Sequence, residues 1–574
     1  MGLGTTRFDE RLLASLGRLE AAPIRFQAVR DVPNGGVLCA VPALLAFGLL
    51  EHAPQKFTWP GGFYPLPSVF LLIAFLALAR VKSIEAVRYE PPGEWGKLIG
   101  LDRIPEVRTL RQKIDVLCQD GQKVLEWSGT LSQQWMQVDP HNAGCLYVDG
   151  HVRVYHGSLT PLPKRYVTRQ RLCLRGTTDY WVNAMDGQPF FVVTQAVDPG
   201  LRKVLEEQIV PRLRKEVPRQ PTSPQLEAEP LLARFTVIFD REGYSPELFA
   251  RLWQDRVAMI TYRKFTDEQD YWRQEEFRLF TVKLVNGEQV ALWLAERGTR
   301  LSNGLWVREI RRRDKQTGHQ TAILTTDFRK APEQVAAAMF ARWCQENFFR
   351  YMGEHYGLNR LIEYGTEPVP DTTLVSNPAL KRKTQEVRRQ RAQLLKEKAQ
   401  FAALTAPVQP EALTQFELEK GQWLERIQQR QQTLKLLKAE RKALPKRIPF
   451  KDLPEGDRFA QLRTAKKHFV DTIKMIAYRA ETALANIARE KLERQDDARS
   501  LVRQVLTTTV DLFPDHVNQV LKVRLHPLAT AAHNDVLTHL CTELTDSETE
   551  YPGTKLRMVF EPIGANEIPR DPEI

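Results

Sequence analysis

One short run constrains the fold of this chain more than any other. Residues 235–240 read FTVIFD, a continuously apolar strand closed by an acid. A strand without polar alternation is buried on both faces, so layers must cover both sides of its sheet. SPELFARLWQD follows as an amphipathic helix, with Ser245 as N-cap and a Glu soon after. Upstream, GCLYVDG, VRVYHG, RLCLRGTTDYWVNAM and QPFFVVTQAV read as strands with turns between them, Asp186-Gly187 being a two-residue hairpin turn. Asp198 to Glu216 reads as a helix and Pro218 to Pro230 as a polar linker. Strands, helix, strand and helix describe an α/β core.

Three carboxylates stand out against that core. Asp149, in CLYVDGHVRVYHG, is expected at the end of the first strand. Asp240 ends FTVIF. Glu346, in RWCQENFFRYM, is expected in the middle of one long helix from about Pro332 to Tyr356. Two carboxylates from strands and one from a helix are what a pair of Mg²⁺ ions needs for phosphoryl transfer. Each has a plainer reading. Asp149 suits an Asp-Gly hairpin turn. Asp240 is costly on an apolar strand unless paired or metal-bound. Arg342, Glu346 and Arg350 share a helix face, which also describes a salt-bridged surface stripe. Glu242 is expected outside the site, because successive strand residues alternate faces.

The 574 residues suit roughly three to five domains. The net charge of +12 suits a polyanionic partner, whether DNA, RNA or an anionic membrane. The six cysteines form no C-x-x-C pair, and no secretory signal is visible, so a reducing cytoplasm is expected. The apolar stretches Gly35–Leu50 and Pro65–Ala79 are shorter than the ~20 residues of a bilayer span and read as buried helices. A mean hydropathy of −0.38 agrees, and no membrane is expected as partner.

Residues 1–130 read as helical, with helix starts at Pro92-Gly93-Glu94 and Ile104-Pro105-Glu106. A helical DNA-binding module and a cap on the next domain are equal readings of that region. The core spans 131–260. Residues 261–326 read as an insertion of four antiparallel strands, with turns at Asn286-Gly287 and Asn303-Gly304. The final core helix lies in 327–368. Residues 369–574 are expected to be helical and coiled-coil, apart from a small mixed segment at the end. Two charged helices there carry Leu394 and Leu395, and Leu424, Ile427, Leu434 and Leu437, at helical spacing. Separated by the Pro-containing stretch Ala406 to Pro410, they should form an antiparallel hairpin. That hairpin is either a prop for the core or a dimerisation arm.

Taken together, YVDGH, FDREGYSPELF and RWCQENFFRYM resemble the first Asp, second Asp and final Glu motifs of bacterial insertion-sequence transposases of the DDE type. The resemblance covers about residues 90–365, and GLDRIPEVRTLRQK is similar to the N-terminal region of such proteins. It implies an RNase H-like catalytic core with a β-rich insertion, flanked by all-α N-terminal and C-terminal regions. One large cut-and-paste branch has such an insertion and a Tyr-Arg-Glu-Lys signature around the Glu. Arg342 and Glu346 match it, while Met339 and Gly353 replace the Tyr and the Lys, which points to a divergent branch.

The resemblance further implies that Asp149, Asp240 and Glu346 hold two Mg²⁺ ions, with Mn²⁺ as substitute, for cleavage and joining of DNA phosphodiester bonds. Arg342 and Arg350 would contact phosphate or orient Glu346, and His151 and Tyr244 would line the groove. Trp306, Arg308, Arg311, Arg312, Arg313 and Lys315 would bind backbone and stack on an end base, or else form a solvated edge strand. The implied partners are duplex DNA with terminal inverted repeats, target DNA and a second copy on DNA, in the bacterial cytoplasm. The alternatives are a retired transposase that only binds DNA, an RNase H-like nuclease without strand transfer, and a membrane-associated or scaffold protein.

Overall fold

The computed structural model describes every residue except 1–4, 60, 158–159, 168–169, 265–269, 285–286, 361–362, 364, 406–412 and 565–574. The chain divides into two compact units. The larger is made of Met1–Tyr155, Gly176–Gly365 and Arg463–Ile574, the smaller of His156–Arg175 and Thr366–Leu462.

The strands up to residue 325 are β1 (Val29–Val32), β2 (Cys145–Val154), β3 (Lys164–Val167), β4 (Leu172–Asn183), β5 (Pro189–Gln195), β6 (Phe235–Phe239), β7 (Val257–Tyr262), β8 (Arg278–Lys283), β9 (Gln289–Arg300), β10 (Trp306–Arg313) and β11 (Gln320–Thr325). In the larger unit the main sheet runs β4-β2-β6-β7-β11-β10-β9-β8, with β5 also on β4. Strand β6 is buried along its whole length and lies parallel to both β2 and β7. The helix Pro246–Gln254 joins β6 to β7, and the Ser245 hydroxyl accepts from the Leu248 N–H as its N-cap. The fold is mixed α/β, as the unbroken apolar run requires.

Strands β8 to β11 are antiparallel, as expected for the insertion. They are not a separate sheet. β11 pairs with β7, so the insertion lengthens the main sheet. The Asp186-Gly187 turn is a three-residue loop rather than a two-residue one. The Ala184 N–H donates to the Gln188 carbonyl at 2.8 Å, and Gly187 takes φ +88°. The Asn303-Gly304 turn is built the same way, with Gly304 at φ +87°. Asn286 lies outside the described residues.

Four further expectations are corrected. First, β2 runs straight through Asp149-Gly150, so neither a strand end nor a hairpin turn lies there. Gly150 serves packing instead, because a Cβ there would lie 3.0 Å from the Tyr180 ring. Second, the helix over 201–216 contains a π-turn, Leu205–Ile209. Pro211 has no N–H to offer a carbonyl one turn back, which loosens the spiral there. Third, the linker holds a short helix, Ser223–Ala228. Fourth, the ends are not all helical. β1 and the strands Val510–Asp515, Val520–Leu525 and Arg557–Pro562 make one four-stranded sheet. The two ends fold together so closely that a Cβ on Gly36 would meet the Val505 carbonyl oxygen at 1.7 Å.

Both apolar stretches are buried as read. Leu66–Leu78 is a helix buried at every position but one. No helix among the described residues is long and apolar enough to cross a membrane. Helix Ala465–Arg489 runs through the core of the larger unit, with Lys467, Asp471, Arg479 and Glu481 buried along it. Glu481 receives Arg80 at 2.7 Å and the hydroxyls of Tyr351 and Tyr356. Burial alone would raise its pKa, but Arg80, Arg499 and the two hydroxyls hold it below the usual carboxylate value.

The smaller unit contains the expected antiparallel hairpin, formed by helices Pro378–Ala402 and Leu413–Ala443. Its seam buries Val387, Leu394, Ile427, Leu434 and Leu437, whereas Leu395 and Leu424 are exposed. Ala406 to Pro410 lie outside the described residues.

Replacing Glu481 with Ala leaves the Arg80 guanidinium unpaired in the interior. The expected cost is about 3–5 kcal/mol, the usual scale for one orphaned partner of a buried ion pair. It should appear as a lower urea midpoint at unchanged slope, and an unchanged midpoint would refute the pairing.

Candidate active site

The point where two neighbouring strands stop pairing sets the first two carboxylates. β2 and β6 pair in parallel as far as Val148 and Phe239. Asp149, still within β2, and Asp240, one residue past the end of β6, come next and leave the pairing side by side. Past that point β2 continues on β4 alone, with Asp149 opposite Trp181. Asp240 caps the turn Arg241–Gly243, its carboxylate accepting from the Glu242 N–H at 2.8 Å.

A helix break sets the third. The long helix expected over 332–356 is two helices, Pro332–Phe340 and Trp343–His355. Glu346 therefore lies in the first turn of the second helix, not in the middle of one long helix. Its carboxylate is 64% exposed and faces the Arg342 guanidinium. A single guanidinium nitrogen of Arg342 lies 3.3 Å from Asp149 Oδ2 and 3.9 Å from Glu346 Oε1. That one cation spans the first and third acids. Gln345 anchors the helix to the sheet. Its buried amide donates to the Trp181 carbonyl at 3.2 Å and to Asn183 Oδ1 at 2.9 Å. Phe348 packs on Trp181 with ring centroids 5.2 Å apart.

The electrostatics join the same groups. Burial pushes the Asp149 carboxyl up to about 6. Arg342 opposes the rise, and the charges of Asp240 and Glu346 add to it. Glu242 was expected outside the site by strand alternation. β6 ends at Phe239, so alternation does not reach residue 242. Its carboxyl sits among acids and is raised to about 7, by burial first and then by Asp240, Asp198 and Asp149. Although its side-chain surface is exposed, only the nearby Leu201 N–H at a helix start opposes that rise. Tyr262, at the end of β7, is raised by burial and feels Arg342, Arg241 and Glu346. Glu242, Gln345 and Tyr262 were all missed in the sequence. Only Glu242 left a signal there, as a second acid beside the Asp240 turn.

The other candidates divide. His151, two residues after Asp149 on the same strand face, stacks on Phe349 at 5.0 Å and meets Asn359 at 2.5 Å. Tyr244 packs edge-on against Phe249. Arg350 is exposed and donates to Asn347 rather than to Glu346. The basic run of β10 does not form one patch, because strand residues alternate faces. Arg311 is 3% exposed and paired with Glu309 at 2.7 Å, which takes it off the surface. Arg308 donates to the carbonyls of Asp327 and Lys330, and Arg312 lies over the Phe340 ring. Arg313 reaches Gln274. Trp306 and Lys315 remain exposed.

The donor set suits hard divalent cations, since every donor is a carboxylate oxygen and one arginine offsets several acids. The three acids are not a tight single-ion cage. Among the described residues, the group whose ligand atoms all lie within 4.8 Å of one another is Asp31, Asp511 and His526, in the four-stranded sheet. Acids spread over two cations ~3.5–4 Å apart can stand further apart than that.

A family model described as "Transposase protein" matches residues 2–564, and the chain belongs to that family. A search of the curated proteins finds no match.

The Asp149 shift has a sign. Its carboxyl titrates near 3.8 when unfolded and about 6 when folded, so the folded state keeps a proton that the unfolded state releases. Stability therefore falls as pH rises from about 4 to 6. Without divalent cations, Asp149→Asn should be more stable than the parent at pH 7, by roughly 2–3 kcal/mol. The advantage should vanish below about pH 4. Denaturation midpoints across pH 3.5–7.5 check this, and a constant gap would refute the assignment.

Proposed function

We propose that this protein is a DDE-type transposase that cleaves and joins DNA phosphodiester bonds at the ends of a mobile element, by a cut-and-paste route. The carrying observation is the side-by-side emergence of Asp149 and Asp240 from parallel strands, with Arg342 linking Asp149 to Glu346. An RNase H-like core is part of the same reading. Two Mg²⁺ ions held by Asp149, Asp240 and Glu346 would supply Lewis acidity at the attacking and leaving oxygens.

The chain's own residues do the positioning. Two paired strands offer rigid mounts for the aspartates. Gln345 fixes the rotation of the helix that presents Glu346. Arg342 offsets part of the negative charge and keeps Asp149 and Glu346 in register. Glu242, with a carboxyl near 7, holds a proton part of the time at neutral pH and so limits repulsion beside Asp240. The partners in this reading are duplex DNA with inverted terminal repeats, target DNA and a second copy of the chain.

The test uses full-length protein and linear DNA carrying the ends of the segment that encodes it. Alanine at Asp149, Asp240 or Glu346 should each lower Mg²⁺-dependent cleavage by roughly 10³-fold or more, as loss of a transition-state group does. DNA affinity measured in Ca²⁺ should stay within about threefold. A variant that cuts normally sinks the assignment. Joining of a pre-cut, end-bearing oligonucleotide to target DNA separates a transposase from a nuclease that only cuts.

A further inference from the structure

The smaller unit carries the entire net charge of the protein. Its 117 residues hold 24 Lys and Arg against 12 Asp and Glu, which is +12. The whole chain has 82 against 70, also +12, so the larger unit is neutral with 58 of each sign. A charge so partitioned is an electrostatic footprint of one surface, not a property of the molecule at large.

The helical hairpin resolves that footprint to one side. At ~100° per residue, Lys381, Arg388 and Arg391 lie to one rotational side of the Val387–Leu394 seam. Lys435, Lys438 and Lys442 lie to the same rotational side of the Ile427–Leu434 seam. Because the two helices run antiparallel, both sets fall on one side of the hairpin. All six are exposed, and none is ion-paired to another described residue. The other side is different. There Lys383 meets Glu386 and Glu440, each at 2.9 Å, and Arg430 meets Glu397 at 2.7 Å. Ion pairs link the two helices on that side, and the six cations of the other side take no part in any among the described residues.

We propose that this unpaired side grips the phosphate backbone of duplex DNA. The choice of duplex over other polyanions rests on the transposase reading above. The span from Lys381 to Arg391 is ~15 Å of helix, enough to face several phosphates. A two-fold contact between copies through this side would set like charges opposite each other, which disfavours its use as the dimer interface. Contact with backbone carries no base code, so this surface adds affinity and placement rather than sequence choice.

The experiment compares two triple variants of the full-length protein. One replaces Arg388, Arg391 and Lys435 with Gln. The control replaces Arg389, Lys396 and Arg426 with Gln, an equal charge change away from that side. Binding to a fluorescent duplex of arbitrary sequence is titrated from low to moderate salt in Ca²⁺, after circular dichroism confirms equal helicity. The first variant should weaken binding by at least about tenfold and lower the log–log salt slope by roughly 2–3, at ~0.9 per phosphate contact. The control should change affinity by less than about threefold with the slope unaltered. Equal effects in both variants, or none in the first, overturn the proposal while leaving the transposase reading intact. If the parent protein shows no salt-dependent DNA binding, both fall. Leu395 is exposed near this side as well, so vesicles of anionic lipid form a further arm. Vesicle binding through these residues in place of DNA also overturns it.

Discussion

The larger unit is organised by charges that have to be paired in its interior. Helix Ala465–Arg489 runs through the core and brings Lys467, Asp471, Arg479 and Glu481 with it. Each would be prohibitive alone. Asp471 answers Arg153 of β2 at 2.6 Å and also receives Lys467, while Arg153 pairs with Asp179 of β4. The Arg479 guanidinium donates to the Pro189 carbonyl at 2.7 Å and lies over Trp135. Glu481 answers Arg80, Tyr351 and Tyr356. These pairs admit one position of the helix against the sheet, because any slip would strand a charge.

The candidate site inherits that rigidity. One face of β2 presents Tyr147, Asp149, His151 and Arg153 in succession. Tyr147 bonds the Ala338 carbonyl at 2.7 Å, Asp149 meets Arg342, His151 stacks on Phe349, and Arg153 meets Asp471. The helix that carries Glu346 is held from one end by Gln345 and from the other by Tyr351 and Tyr356 on Glu481. Three acids that repel one another are thereby kept at fixed places by contacts outside the repulsive group. The carboxyl of Asp149 is raised by burial first and by the other two acids second, a cost that a bound cation would offset.

The division of charge complements this arrangement. A neutral unit carries the acids, and a smaller unit carries all of the positive excess. A basic surface close among the acids would compete with metal for them. The run on β10 illustrates the contrast, since Arg308 and Arg311 are used up on Glu296, Glu309 and backbone carbonyls.

Much of this was legible in the sequence because it depends on local pattern. The unbroken apolar run of β6 required a covered sheet. The alternating segments of the insertion required antiparallel strands, and the Ser245 cap and the leucine seam of the hairpin required helices. The three acidic motifs drew attention to Asp149, Asp240 and Glu346, whose charges the fold brings to bear on one another. The rest depended on contacts distant in the chain. Asp149-Gly150 looks like a turn in isolation, and only the Tyr180 ring lying against Gly150 explains a glycine in mid-strand. Glu346 sits in a first turn because of a helix break that no proline or glycine announces. Pairing β1 with Val510–Asp515 joins residues nearly 500 apart, beyond any periodicity. Local sequence determined which segments are strands and helices. Only the tertiary structure decided which charges are buried and paired and which are left for a partner, because that depends on what each side chain faces across the fold.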